Sequence, residues 1–94
     1  MQERAKQVAE VLKALANENR LLILCALAGG GLSAGDIGRA VPHISQSGVS
    51  QHLALLRAHG FIDSQKQGAC VIYHICDERV SLLMQLLKEQ YCAE

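Results

Sequence analysis

The chain predicts a mainly α fold with a small β-hairpin, about five helices and a two-stranded wing, within 94 residues read as one domain over 1–94. Three observations carry that prediction. Apolar residues recur at helical spacing at both ends of the chain. Ser, Asn and Asp caps and Gly stops divide the middle into short helical segments. Two strand-like runs then flank one tight-turn signal. Half the residues are apolar, yet Phe61, Tyr73 and Tyr91 are the only aromatics, so the core has to be Leu, Ile, Val and Ala.

The first helix is expected from about residue 3 to 16, where Val8, Val11, Leu12 and Leu15 form one stripe. Asn17 caps a second helix, about 18 to 28, with Glu18 in its positive first turn. That helix is apolar nearly all round, so it is the buried central one, and Gly29, Gly30 and Gly31 end it. Ser33 and Asp36 mark the start of a short third helix that stops near Val41, before Pro42. Ser45 caps the fourth, with Ile44 and Val49 spaced as a hydrophobic staple and Gly60 as its left-handed stop. Strands follow over Phe61 to Lys66 and Cys70 to Cys76, turning at Gln67-Gly68-Ala69. The last helix begins near Asp77, with Val80, Leu83, Leu86, Leu87 and Tyr91 on one face. Helix, helix, turn, helix, hairpin is the order of a winged helix-turn-helix.

The fourth helix carries the chemistry. Val49, Leu53 and Leu56 share an inner face. Gln46, Ser50 and Arg57 lie together on another, flanked by Ser47 and Ala54, with Gln51 further round. A slim ridge of amides and hydroxyls fits the major groove, where Gln pairs with adenine and Ser with bases or phosphates. Exposed amides at Ser45 and the helix start would hold a phosphate. Lys66 and Gln67, at the hairpin turn, are placed to touch the neighbouring backbone or minor groove. The plainer reading of both features is a solvated helix face and an ordinary surface hairpin.

Net charge is zero, which advertises no nucleic-acid partner, but its distribution is uneven. From Arg39 to Gln67 the cations Arg39, Arg57 and Lys66 meet one acid, Asp63, while most acids cluster towards the two ends. No apolar run spans a bilayer, and the start Met-Gln-Glu-Arg is unlike a signal peptide, so a cytoplasmic protein without a membrane partner is expected. Cys25, Cys70, Cys76 and Cys92 have no CxxC spacing, which argues for reduced thiols and against a zinc ribbon. Cys70, His74 and Cys76 alternate on one strand face, so a metal site there is geometrically conceivable, yet none is expected, nor any cofactor. No paired carboxylates, Ser/His/Asp set or phosphate loop after a strand supports an enzyme.

The run Leu12 to Leu24, the Ser45 to Leu56 helix with its Ser-Gln-His-Leu core, and Gly60-Phe-Ile-Asp together resemble the ArsR/SmtB family of bacterial repressors. The likeness covers essentially the whole chain. It implies a homodimer joined through the first and last helices, residues 45–59 in the major groove of double-stranded DNA, and an inducer that weakens the complex. A two-fold dimer reads a palindromic operator whose half-sites lie one helical turn apart.

The resemblance also frames what is sensed. The family's thiolate-rich motif is missing from Leu32-Ser-Ala-Gly-Asp-Ile37, and no histidine occurs from Asp77 to Glu94, so its metal sites have no counterpart. His52 belongs to the Ser-Gln-His-Leu pattern and reads as structural or DNA-proximal; His43, His59 and His74 lack ligand spacing. Cys25 and Cys92 are similar in position to the dithiol of the sulfane-sulfur-sensing branch, the SqrR and BigR group, which would make reactive sulfur species the inducer. The same positions occur in the HlyU group, regulators that displace another DNA-binding protein. Against a thiol switch stands physics: both cysteines sit towards helix carboxyl ends, where the dipole and burial raise a thiol's pKa. Cys70 and Cys76 read as bystanders. The rivals to a thiol-switched repressor are an HlyU-like regulator without cysteine sensing, a metal-sensing repressor, and a winged helix used only for protein contact.

Overall fold

The computed structural model describes residues 1–91; Cys92, Ala93 and Glu94 lie outside the described residues. Five helices and three strands follow one another as α1 (Gln2–Leu15), α2 (Glu18–Leu27), β1 (Leu32–Ser33), α3 (Ala34–Ala40), α4 (Gln46–Ala58), β2 (Ile62–Gln67), β3 (Cys70–Ile75) and α5 (Glu78–Tyr91). This is a winged helix-turn-helix. It adds one element to the expected hairpin: Leu32 and Ser33 pair antiparallel with Tyr73 and Ile72, giving a sheet ordered β1-β3-β2. Two residues carry no readable alternation, so this strand was invisible to the pattern.

The caps form as their residue types require. Asn17 Oδ1 accepts from the backbone N–H of Asn19 and Arg20, and Ser33 Oγ from that of Asp36. Asp77 is α5's cap, its Oδ1 accepting from the N–H of Arg79 and Val80. Gly60 closes α4 with φ of 78°, a backbone state that side chains disfavour.

The core gathers Ile23, Leu24 and Leu27 of α2 with Ile37, Val49, Leu53, Leu56, Phe61 and Ile62, and takes Val80 and Met84 from α5. Met84, outside the stripe read from the sequence, joins the core, while Leu86 and Tyr91 of that stripe face outward. The helix thus has two apolar faces, and only one is buried here. α1 behaves similarly. It meets the core through Val11, Ala14 and Leu15, while Val8 and Leu12 stay 54% and 51% exposed. With Leu82 and Leu86 of α5, 58% and 53% exposed, they leave large side chains on both terminal helices uncovered. Between these helices runs a cleft of 570 Å³ lined by Val8, Val11, Leu12, Leu15, Val80 and Leu83 together with the polar Arg4, Gln7, Asp77 and Arg79.

Candidate nucleic-acid interface

The turn from α3 into α4 is set by Pro42, which follows the end of α3, and by the backbone bond from Ile44 N–H to Val41 C=O. Ser45 then takes an extended conformation, and its Oγ accepts from Gly48 N–H at 3.0 Å. Ile44 closes over this start as the staple predicts, against the core that holds buried Val49. Gly48 permits that closure, because a Cβ there would lie 2.9 Å from Ile44 Cγ2 and 3.1 Å from Ser45 Oγ. Ser45 is therefore first a helix cap, with Ser47 Oγ 3.3 Å from its oxygen.

Past the cap, Val49, Leu53 and Leu56 turn into the core, and Gln46, Ser47, Ser50, Gln51, Ala54 and Arg57 are exposed, as the helical wheel requires. Gln46, Ser50 and Gln51 make no side-chain hydrogen bond among the described residues, so their donors and acceptors are open to a partner. Arg57 is less open. Its Nε lies 3.6 Å from Asp63 Oδ1, both side chains 57% exposed. The one acid of the basic stretch thus stands beside the ridge's arginine in an exposed ion pair.

The wing's register separates its two predicted residues. Lys66 pairs with Val71 and Gln67 with Cys70, closing the hairpin over Gly68 and Ala69. Alternation places Lys66 on one sheet face with Ser64, Tyr73 and Val71, and Gln67 on the other with Asp63, Gln65 and Cys70. Both are exposed. The sequence reading missed Tyr73. It lines a cleft of 430 Å³ with Ser50, Leu53, Ala54 and Arg57 of α4, and only the three-stranded register brings it there.

The remaining candidates are dispersed. Cys25 is half-buried on α2, packed against the core, and α2 packs on α5; Cys92 lies outside the described residues. Cys70 is exposed beside the wing turn, and Cys76 Sγ donates to Gly60 C=O at 3.3 Å. Among the described residues no three of His, Cys, Asp and Glu gather to hold a metal ion. His43 Nε2 meets Asn19 Oδ1 at 3.1 Å, and His59 stacks on Phe61 with centroids 5.2 Å apart. The electrostatics around the reading head are local: a hydrogen bond from Arg39, then one with Ser33, holds the Asp36 carboxyl below the usual carboxylate range. No helix among the described residues is long and apolar enough to cross a membrane.

Comparison with known proteins agrees with this geometry. The family model described as bacterial regulatory protein, arsR family, matches residues 17–64, from the cap of α2 to the third residue pair of the wing. The HTH-type transcriptional regulator YgaV of Escherichia coli is 44% identical over 93 residues, 98% of this chain and 93% of that protein. The transcriptional activator HlyU of Vibrio cholerae is 38% identical over 92 residues, 98% of this chain and 84% of that one. Among solved structures, reduced HlyU from Vibrio cholerae superposes with a TM-score of 0.86 at 40% identity, covering 98% of this chain and 99% of that one. The transcriptional repressor BigR from Xylella fastidiosa gives 0.89 at 30% identity, covering 99% and 91%. The homodimeric winged helix-turn-helix DNA-binding domain Mb0332 from Mycobacterium bovis gives 0.77 at 33%, covering 93% and 80%.

Proposed function

This chain belongs to the arsR family of bacterial regulatory proteins, a DNA-binding transcriptional regulator and not an enzyme, and from that premise we propose that it is a cytoplasmic repressor. As a homodimer, with the whole chain as one domain, it binds a palindromic operator and is released when Cys25 and Cys92 are oxidised or bridged by sulfur. The observation that carries the DNA reading is the α4 ridge: Gln46, Ser47, Ser50 and Gln51 exposed over a buried Val49, Leu53 and Leu56. Ser45 pins its start, Arg57 and Lys66 add phosphate contacts, and Gln67 reaches from the wing tip. Dimerisation through α1 and α5 accounts for apolar side chains that one chain leaves in water. Burying them against a second copy removes a cost of about 25 cal/mol per Å² of apolar surface.

Connectivity supports the switch. α2 packs on both α4 and α5, so a covalent tie from Cys25 to the residue after Tyr91 couples the support of the reading helix to the dimer interface. In the bridging step one persulfide passes its outer sulfur to a cysteine thiol and leaves as a thiol. A second accepts the electron pair as the other cysteine closes the trisulfide, leaving as thiol and hydrogen sulfide. A change of about 1–3 kcal/mol in coupling suffices to alter affinity five- to 150-fold. The test is intact mass after persulfide treatment, beside a gel shift on the chain's upstream DNA. Added sulfur with loss of the shift supports the switch; an unchanged shift with the bridge in place ends it. One relative is named a transcriptional activator, HlyU, and a second reading is an activator that displaces another DNA-bound protein without cysteine sensing. Cys25→Ser with Cys92→Ser separates the two, since the second reading loses no function.

A further inference from the structure

We propose that the cleft between α4 and β3 seats a backbone phosphate of duplex DNA, with the Tyr73 hydroxyl as a donor beside Ser50 and Arg57; this rests on the DNA reading above. Tyr73 sits mid-sheet, opposite Leu32 on β1 and Ser64 on β2, and its ring is half-buried. Its hydroxyl has no hydrogen-bond partner among the described residues and is not a buried atom, so it stays open to a partner from outside the chain at the 430 Å³ cleft that Tyr73 lines. The cleft's other polar side chains, Ser50 and Arg57, come from the predicted reading ridge. Ala54 keeps its wall low.

Three features make the occupant a phosphate. The lining offers two hydroxyl donors and a guanidinium, and no carboxylate lines it. Arg57 is held by a single exposed ion pair at 3.6 Å, weak enough for a phosphate to compete with Asp63. Lys66 shares Tyr73's sheet face two pairs further out, about 7 Å along the strand, so one DNA strand passing the wing meets both. Tyrosine and serine are ordinary phosphate donors in DNA complexes, where they position the protein without reading sequence.

Tyr73→Phe tests this, because it removes the hydroxyl and keeps the ring in the core. Affinity is measured by fluorescence anisotropy across a salt series, on the upstream duplex and on an unrelated duplex of equal length, for wild type, Y73F and K66A. Y73F is expected to bind both duplexes about tenfold more weakly, as loss of a hydrogen bond to a charged group predicts. Its salt slope stays that of wild type because a phenol releases no counterion, while K66A lowers the slope by about one. Y73F binding within about twofold of wild type, with wild type steeply salt-dependent, overturns the inference and leaves the DNA reading standing. A wild-type protein with no salt-dependent binding overturns the DNA reading and the cleft with it.

Discussion

At the scale of single residues, the interface is a balance of few charges. Asp63 stands within hydrogen-bonding range of the wing backbone, accepting from Ser64 N–H at 2.8 Å, and faces Arg57. Replacing it by Asn releases the guanidinium, so D63N is expected to raise duplex affinity by up to about fivefold and to steepen the salt slope. Anisotropy titration checks it, and weaker binding would show that the pair positions Arg57 instead of masking it. Gln46 and Gln51 should behave differently from Lys66. Alanine at either one costs about 1–3 kcal/mol on the upstream duplex and little on unrelated DNA, measured as a ratio of affinities. The polar ridge was legible in the sequence because each member is fixed by helical spacing from buried Val49. Tyr73 was not, since its partner residues belong to another element and its place depends on strand register. Asp63 could be seen as the lone acid of a basic stretch, but its pairing with Arg57 depends on how Gly60 redirects the chain.

At the scale of elements, caps decide where the reading head sits. Asp77 holds the first turn of α5, and its carboxyl lies below the usual range chiefly through the hydrogen bond from Arg79. A carboxyl depressed on folding stabilises the native state above its unfolded value of 3.8 and loses that contribution as pH falls through the lower folded value. Thermal melting should therefore show D77A destabilised by about 1 kcal/mol near neutrality, with the gap from wild type closing in strong acid. A gap that persists in acid would assign the loss to packing. Helices and caps were readable because each is local: Asn17, Ser33 and Ser45 all cap as their positions suggest. The β1 strand and the place of Met84 in the core were not. Two residues have no periodicity, and α5 carries apolar residues on two faces, so spacing alone could not choose Met84 over Leu86 for the core.

At the scale of the whole molecule, the exposed leucines of α1 and α5 and the 570 Å³ cleft between those helices put the proposed interface opposite in kind to the polar ridge. L12E with L86E should yield a folded monomer in sedimentation equilibrium, since both side chains are already about half in water in a single chain. An unaltered dimer would move the interface elsewhere. In the proposed complex two copies present the α4 ridge to one duplex. Sedimentation velocity of the protein with its labelled upstream duplex, run for wild type and for the triple variant Q46A, S50A and Q51A, tests it most directly. Two chains per duplex are expected for wild type, and separate protein and DNA boundaries for the variant, with its dimer intact. A complex with one chain, or one that the variant forms equally well, contradicts it.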